Sequence, residues 1–322
     1  MNKPAAILTL ALLTVLAVGC RHTPGQAVQL HRFDRVLFET PPAQLQSRLA
    51  AVQSEYNSDL LNLHPDDPHY MDMVQGFIAD PTMREVYRLV DSVFGSMEEE
   101  SSRLGDAFAR ARALCPQVRY DKVYTFVSGL FDYNMRVGCN SHELIISLDQ
   151  YILPYTKKFN YFDSPLFLVQ QSRREYLATD CMTAIARQQT VLPDHDLTLL
   201  DYMVAEGKAI YFAQQTLPDA PDSILLRYTA EQTEWMQKNE ERVWAYFLQN
   251  KLLYETDYMR FHNFIDDAPK TNAFRDSCPR TTDYIGWRIV QRYMKASGAS
   301  MQELFNESDA QKILSVSNYR PK

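Results

Sequence analysis

Glu206 is the residue of this chain whose type and position most favour chemistry. The apolar residues Leu199, Met203 and Ile210 fall on one stripe of a helix with about 3.6 residues per turn. Glu206 lies inside that stripe, between Met203 and Ile210. A carboxylate on the inward face of a helix is costly unless it pairs with a cation, binds a metal or opens onto water. The position therefore predicts either half of an ion pair or the carboxylate of a cleft.

Gly207, the next residue, lies in the middle of the same predicted helix. A glycine in a helix interior costs roughly 1 kcal/mol relative to alanine. Its presence predicts that this helix is closely packed, with another part of the backbone approaching it at this point.

A second strong helix is predicted over residues 282–296, and it offers partners for Glu206. This helix is apolar on two faces, which is typical of a central element. Arg288 and Arg292 share its remaining stripe, and a planar guanidinium can bind a buried carboxylate through two hydrogen bonds. We expect Glu206 to be buried beside this helix and held by an arginine or a tyrosine. The candidate cleft residues are Glu206, Gly207, Tyr284, Arg288 and Arg292.

The elements that position these residues predict an α+β protein, predominantly α-helical with one small β-sheet. Strands are predicted at 122–130 and 143–148, which are rich in β-branched and aromatic residues. A single domain is predicted over 41–322, with a helical part (41–116), the sheet (117–153) and a second helical part (172–322). Apolar spacing predicts helices over 43–63, 69–78, 81–94, 97–114, 172–189, 194–217, 229–250, 257–267 and 282–296.

The N-terminus has the pattern of a secretion signal. Lys3 precedes an apolar run over residues 5–18 that is too short to span a bilayer comfortably, and residues 1–19 are predicted to be a signal peptide. The sequence AVGC at 17–20 resembles a bacterial lipobox, in which the cysteine is lipidated after cleavage. Cys20 is therefore predicted to be a lipid anchor, followed by a linker to residue 40. The alternative is an ordinary signal peptide with a coincidental cysteine.

Charge and cysteine content limit the partners and cofactors of the chain. Its net charge of −7 argues against nucleic acid or an anionic membrane surface as the main partner. The four later cysteines are too widely separated for a compact metal knuckle, and both disulfides and free thiols remain open for them. They are Cys115, Cys139, Cys181 and Cys278.

Several sequence blocks, in order, resemble one known family. The C-terminal half contains LLDYMVAEGKAIYF, YTAEQTEWMQKNEERVWAYFLQNKLLYETD and DAPKTNAFRDSCPRTTDYIGWRIVQRYM, and the sheet region contains TFVSGLFDYN and ELIISLDQYILP. These blocks, with the signal and Cys20, are similar to the gliding motility lipoprotein family GldB of Bacteroidetes. The resemblance implies a lipoprotein associated with the gliding machinery and the linked protein-secretion system, with envelope proteins as partners. The absence of an acidic run after Cys20 favours the periplasmic face.

A more distant resemblance concerns zinc peptidases of the gluzincin type. In those enzymes a helix with HExxH supplies two histidine ligands and a general base, and a glutamate on the following helix is the third ligand. This resemblance places the third ligand at Glu206 and the histidine helix at residues 173–189. That helix contains no histidine, and its Asp180 and Ala184 stand at the four-residue spacing that the two histidine ligands have in those enzymes. The expectation is a zincin-like fold that has lost its metal.

The sequence thus predicts a non-catalytic lipoprotein without metal or cofactor, which faces the periplasm and acts by protein–protein interaction. Two alternatives remain open. One is a zinc-peptidase-like hydrolase that uses Glu206, with Arg288 or Arg292 polarising a carbonyl. The other is a module that binds a peptide or glycan in the retained cleft.

Overall fold

The computed structural model describes residues 25–56, 58–120, 122–129, 136–155 and 165–321. The predicted signal peptide and Cys20 lie outside these residues. Within them the chain is mostly helical with one four-stranded mixed sheet, so the predicted fold class of α+β, predominantly α-helical, is confirmed.

One strand comes first along the chain. An N-terminal helical part, the other three strands and a longer C-terminal helical part follow it, with short 3₁₀ segments between several of these elements. The strands are β1 (Leu30–Arg32), β2 (Lys122–Phe126), β3 (Val137–Cys139) and β4 (Glu143–Ser147). The helices are α1 (Phe33–Glu39), α2 (Leu45–Tyr56), α3 (Pro68–Ala79), α4 (Pro81–Phe94), α5 (Glu98–Leu114), α6 (Leu166–Gln170), α7 (Leu177–Gln189), α8 (Leu199–Thr216), α9 (Asp222–Leu226), α10 (Ala230–Gln249), α11 (Tyr258–Phe261), α12 (Thr281–Ser297), α13 (Met301–Asn306) and α14 (Ala310–Ser317).

The sheet has the strand order β1-β2-β4-β3. The two predicted strands, β2 and β4, pair in parallel at its centre, with Tyr124 opposite Ile145. All of β4 is buried, and its three central residues, 144–146, are apolar, as expected for a short strand covered on both faces. The parallel partner β1 and the antiparallel partner β3 complete the sheet at its edges. Residues 30–39, which the sequence assigned to a linker, form β1 and the largely buried helix α1 instead.

Helices α3, α4 and α5 lie within one residue of their predicted bounds, whereas α2 ends at Tyr56 and not at residue 63 as predicted. Helix α4 begins and ends at the predicted residues, because Pro81 occupies its first turn and the Asp80 carboxylate accepts hydrogen bonds from the backbone of Thr82 and Met83 at 2.7 and 3.0 Å. Its apolar stripe is buried, from Met83 to Phe94.

The first described residues lie along helix α5. The Gly25 amide donates to Asp106 Oδ1 at 2.6 Å, and the Val28 amide donates to the Ser101 carbonyl at 3.1 Å. Gly105 permits this contact, since a Cβ there would lie 2.2 Å from the Gln26 carbonyl oxygen. The chain is therefore part of the folded body only a few residues after Cys20.

Helices α8 and α12 cross in direct backbone contact. A Cβ on Gly207 would lie 2.3 Å from the Gly286 carbonyl carbon, and a Cβ on Gly286 would lie 1.8 Å from the Met203 carbonyl oxygen. The close backbone approach predicted at Gly207 is confirmed. This crossing fixes the two helices at the centre of the C-terminal part.

Lys208 of α8 is buried in the core, with 2% of its surface exposed. Its ammonium donates to the Glu307 carbonyl oxygen at 2.6 Å. Burial lowers the pKa of Lys208 to about 8, because the charged form has lost most of its water. In the unfolded chain this lysine keeps its proton up to about pH 10.4. The unfolded state thus binds more protons between these values, so stability rises with pH across that window.

The variant Lys208→Met is expected to raise the free energy of unfolding at pH 7 by about 1–2 kcal/mol. A pKa difference of this size corresponds to about 3 kcal/mol, and the lost hydrogen bond offsets about 1 kcal/mol of it. Urea unfolding should show that the gain fades between pH 8 and 10.5. The control is Lys312→Met, which removes an exposed partner of Glu307 and should change stability by under about 0.5 kcal/mol. A gain from Lys208→Met that does not vary with pH would contradict the buried charge.

Two further findings concern the four cysteines after Cys20 and the length and apolar character of the described helices. Cys115, Cys139, Cys181 and Cys278 are all free thiols, which resolves the choice that the sequence left open. Among the described helices, none has the length and apolar character needed to cross a bilayer.

Candidate functional site

A cavity of about 490 Å³ opens between α7, α8 and the start of α12, beside strand β3. Its volume falls within the range of about 300–1,000 Å³ that is usual for ligand pockets. The wall combines apolar side chains with four guanidinium groups and four carboxylates. The charged residues are Arg136, Arg187, Arg227, Arg280, Asp180, Glu206, Asp267 and Asp283.

Glu206 lies on the wall of this cavity and is bound by Arg187. Arg187 Nε donates to Glu206 Oε2 at 2.9 Å, and Nη2 donates to Oε1 at 2.6 Å. The Glu206 side chain keeps 25% of its surface accessible and that of Arg187 keeps 56%, so the pair faces the cavity rather than the sealed core. Burial alone would raise the pKa of Glu206, but the charge and hydrogen bonds of Arg187 lower it.

The partner of Glu206 differs from the expected one. Helix α12 does pack against α8, but the arginine comes from α7, the helix to which the resemblance assigned the zinc-binding histidines. Arg187 lies seven residues after Asp180 and three after Ala184, so these three residues share one face of α7. That spacing was the available signal for Arg187 in the sequence.

Arg280 joins two of the other carboxylates. It is the residue before α12, and its side chain is 10% exposed. Nε donates to Asp283 Oδ2 at 3.0 Å, Nη1 binds Asp267, and Nη2 donates to the Leu226 carbonyl at 2.8 Å. Burial would raise the pKa of Asp267, but the positive charge of Arg280 lowers it.

Arg227 neutralises the fourth carboxylate. It binds Asp180 of α7, which also accepts a hydrogen bond from the Tyr151 hydroxyl at 2.8 Å. The guanidinium stacks over the Tyr176 ring at 4.9 Å from the centroid, a position that favours a cation. Each carboxylate of the cavity is thus held by an arginine.

The backbone is strained at two of these arginines. Arg227 has φ = +55° and Arg280 has φ = +43°, in the left-handed region that side chains other than glycine, asparagine and aspartate rarely adopt. Such strain persists only where surrounding contacts impose it, and it is concentrated at functional sites. Here the ion pairs to Asp180 and Asp283 supply those contacts.

Asp283 has the most unusual acidity in the cavity. Burial, the largest cause, and the nearby negative charge of Glu206 raise the pKa of Asp283 to about 7, although Arg280 acts in the opposite direction. Two carboxylates in one site cannot both ionise freely, so one of them holds a proton to higher pH. Of these two carboxyls, Asp283 is the one that keeps its proton to the higher pH.

Arg136 is the guanidinium of the cavity without a matched carboxylate. Its Nε and Nη2 atoms are buried, and neither has a hydrogen-bond partner among the residues that the structure describes. Burial, together with the positive charge of Arg227, lowers the pKa of Arg136 to about 10. The buried Thr179 Oγ1, in another residue of the cavity wall, likewise lacks a partner in the described part of the chain.

Four of the five predicted cleft residues do not line the cavity, and among them Gly207 packs against the backbone of Gly286. The Tyr284 hydroxyl donates to Glu240 Oε2 at 3.2 Å, and Arg288 Nε lies 3.5 Å from Glu240 Oε1. Arg292 stacks over the Tyr319 ring at 5.2 Å from its centroid. Of the five, only Glu206 lines the cavity.

The residues around Glu206 do not fit a zinc site. Both carboxylate oxygens of Glu206 accept hydrogen bonds from Arg187, Asp180 is held by Arg227, and Ala184 has no ligand atom. Among the described residues, no three His, Cys, Asp or Glu side chains are grouped as a metal would require.

Arg136, Arg227 and Arg280 were absent from the sequence prediction. Each lies outside the periodic part of a helix, so hydrophobic spacing gives no information on its direction. The only local signal was at Arg280, which precedes the polar residues 281–283 at a helix start.

Comparison with known proteins gives one match. A family model described as gliding motility protein GldB matches residues 21–321. This span includes every described residue, from the segment on α5 to the end of α14. No curated protein and no solved structure matches the chain.

Proposed function

Since this chain belongs to the GldB family of gliding motility proteins, we propose that it serves the gliding machinery as a non-catalytic, periplasm-facing lipoprotein. The family assignment makes it a gliding motility protein and, as a lipoprotein family, associates it with the cell envelope. The proposal adds how the protein acts. It binds other envelope proteins of the motility and secretion apparatus and catalyses no reaction.

The state of the cavity carboxylates is the observation on which this proposal rests. A general base must be free to take a proton, and binding to a guanidinium lowers its basicity. Arg187 lowers the pKa of Glu206, and Arg280 lowers that of Asp267. Asp283 has a pKa raised to about 7, but it is also bound by Arg280, and Asp180 is bound by Arg227. A cavity of internally paired charges favours recognition over hydrolysis.

We further propose that the cavity is the remnant of a peptidase site. The support is the contact between α7 and α8. Glu206, at the position that resembles a third zinc ligand, faces α7, to which the resemblance assigned the two histidines. Arg187 replaces the metal as the positive charge that holds Glu206.

Membrane attachment through lipid on Cys20 would hold the folded body close to the bilayer. Four residues lie between Cys20 and Gly25, and the five Cα–Cα steps of an extended chain span at most about 18 Å. Gly25 is already bound to Asp106 of α5. The neighbourhood of α5 is therefore the part of the body placed nearest to the membrane.

The variant Cys20→Ser is expected to move the protein from the membrane pellet to the soluble periplasmic fraction, because a single unlipidated chain has no anchor. Cys139→Ser, which alters a half-buried free thiol, is the matched control and should remain in the pellet. Affinity capture of the solubilised wild type should recover gliding or secretion components, and capture of Cys20→Ser should recover fewer. Protease added to whole cells should leave the wild type intact.

Three outcomes would contradict the proposal. They are retention of Cys20→Ser in washed membranes, cleavage of the wild type on intact cells, and capture that recovers no motility or secretion component. Activity against peptides that is lost in Glu206→Gln would instead favour the hydrolase alternative.

A further inference from the structure

The buried guanidinium of Arg136 requires a negative charge that the described residues do not place in contact with it. Two of its nitrogens are buried without a hydrogen-bond partner among those residues. An ionised group removed from water is costly unless an opposite charge and hydrogen bonds replace the lost solvent. Arg136 lines the cavity, so a ligand in the cavity can supply both.

The other three guanidinium groups of the cavity leave no carboxylate available for Arg136. Arg187 makes two hydrogen bonds to Glu206, and Arg227 binds Asp180. Arg280 spans Asp267 and Asp283. One positive charge therefore stays without a contact partner on the described wall. The wall balances four guanidinium groups with four carboxyls, and Asp180 and Asp267 attract Arg136 without a hydrogen bond to it. A ligand with a single carboxylate can contact Arg136, whereas a phosphate dianion would bring a second charge against the carboxylates of the wall.

Thr179 provides a second polar atom for the same ligand. Its buried Oγ1 has no partner in the described part of the chain. Thr179 belongs to α7, and α7 packs against β3. This strand begins at the residue that follows Arg136. A carboxylate has two oxygens that accept hydrogen bonds, one suited to a guanidinium and one to a hydroxyl.

Apart from three threonines, the remaining wall of the cavity is apolar, and it reaches the surface. Leu192 lines the cavity with 51% of its surface exposed, and Tyr202 and Ile265 lie on the same wall. The Tyr202 ring contacts that of Tyr258, which is 40% exposed. An apolar group beside the carboxylate would be buried against these side chains.

We infer that the cavity binds a monocarboxylate with an apolar body, foremost the free carboxyl terminus of a peptide that ends in apolar residues. This inference deepens the proposed function and rests on it, because it names the ligand class through which a binding protein would recognise its partner. A fatty acid offers the same chemistry, and the experiment distinguishes the two sources.

The test uses the detergent-solubilised, full-length lipoprotein and two matched peptides. N-acetyl-Ala-Ala-Leu-Phe with a free carboxylate is compared with the same peptide as its C-terminal amide, by competition against a fluorescent copy of the acid. The acid should bind at least tenfold more tightly than the amide. Laurate is the second competitor. Displacement by laurate alone assigns the site to fatty acids, and displacement by the peptide acid assigns it to a peptide terminus.

Arg136→Gln should abolish the preference for the acid, so that acid and amide bind alike. Arg275→Gln removes an arginine that is 93% exposed and does not line the cavity, and it should keep the full preference. Thr179→Val, which keeps the side-chain shape, should reduce the preference at least threefold and guards against misfolding of the Arg136 variant. Without ligand, Arg136→Gln should melt no lower than the wild type, because a purely structural arginine would lower the melting temperature.

The inference is overturned if neither carboxylate binds, if acid and amide bind equally to the wild type, or if Arg136→Gln and Thr179→Val both keep the preference. These failures are separable from failure of the proposed function. Affinity capture from the envelope needs no added ligand, so recovery of motility components with no carboxylate preference would reject the ligand class alone.

Discussion

Replacing Arg280 by methionine is expected to lower the free energy of unfolding by about 3–5 kcal/mol. Removing one partner of a buried ion pair leaves the other charge without compensation, and losses of about this size follow. Arg280 is the cation for both Asp267 and Asp283 and also binds the Leu226 carbonyl. Urea denaturation followed by circular dichroism measures the change.

Lowering the pH should reduce the stability that is lost in Arg280→Met. The charge of Arg280 lowers the pKa of Asp267, so at neutral pH Arg280→Met leaves an ionised Asp267 without its cation. Asp283, whose pKa is already raised to about 7 with Arg280 present, takes up a proton when this cation is lost. Once the pH falls below about 4, the ordinary range of aspartate, Asp267 is protonated as well and neither carboxyl needs a cation. The difference between wild type and Arg280→Met should therefore shrink as the pH is lowered.

A double variant separates the charge from the shape of the side chain. Adding Asp267→Asn to Arg280→Met removes the carboxylate that stays ionised without its partner, and it should recover about half of the lost stability. The exposed Arg275→Met is the control, with an expected change of under about 0.5 kcal/mol. A loss that is independent of pH and unaffected by Asp267→Asn would mean that packing, not charge, makes Arg280 necessary.

The elements of this fold could be predicted where local signals coincide with burial. Helix α4 has a proline in its first turn, an aspartate cap and an apolar stripe, and its predicted ends are those observed. Strand β1 has only three residues and no periodic pattern of its own. It exists because β2 offers a parallel edge to it, which is a tertiary fact that no local spacing contains.

The candidate site, like the fold, could be predicted where the signal is local and not where it depends on tertiary contacts. Glu206 was found because a charge inside an apolar stripe is anomalous within one helix. Its partner was misassigned to α12, because an ion pair between helices depends on which faces meet. Arg187 is 19 residues away on α7. Its spacing places it on one face of α7 with Asp180 and Ala184, but that spacing does not show that this face meets α8. Sequence therefore identified the anomalous charge, and tertiary packing determined its partner.

Substitution of Gly286 by alanine is expected to lower the free energy of unfolding by about 2 kcal/mol, the difference between an overpacking cost of about 3 kcal/mol and a gain of about 1 kcal/mol in helix propensity. The new Cβ would lie 1.8 Å from the Met203 carbonyl oxygen and 2.6 Å from its carbonyl carbon. Both are backbone atoms of α8, so relief requires the helices to separate. Such overpacking costs about 1–3 kcal/mol or more, which exceeds the gain of about 1 kcal/mol from the better helix former.

The control for this substitution is Gly76→Ala in α3. A Cβ on Gly76 would meet nothing within 4 Å, so alanine there should leave stability unchanged or raise it by up to about 1 kcal/mol. Gly207→Ala should resemble Gly286→Ala, because its Cβ would lie 2.3 Å from the Gly286 carbonyl carbon. Combining Gly207→Ala with Gly286→Ala should lower the free energy of unfolding by less than the sum of the two single losses. The first methyl group separates the helices, and this separation makes room for the second.

The crossing of α8 and α12 should also influence the pKa of Asp283 in the cavity. Glu206 is adjacent to Gly207, and Asp283 lies one helical turn before Gly286. Because the charge of Glu206 helps to raise the pKa of Asp283 to about 7, separating the helices should weaken this repulsion and lower that pKa. Carbon-detected NMR titration of Asp283 in Gly286→Ala, with Gly76→Ala beside it, measures the shift. An unchanged pKa in a destabilised Gly286→Ala would show that the glycine contact sets stability alone and not the geometry of the two acids.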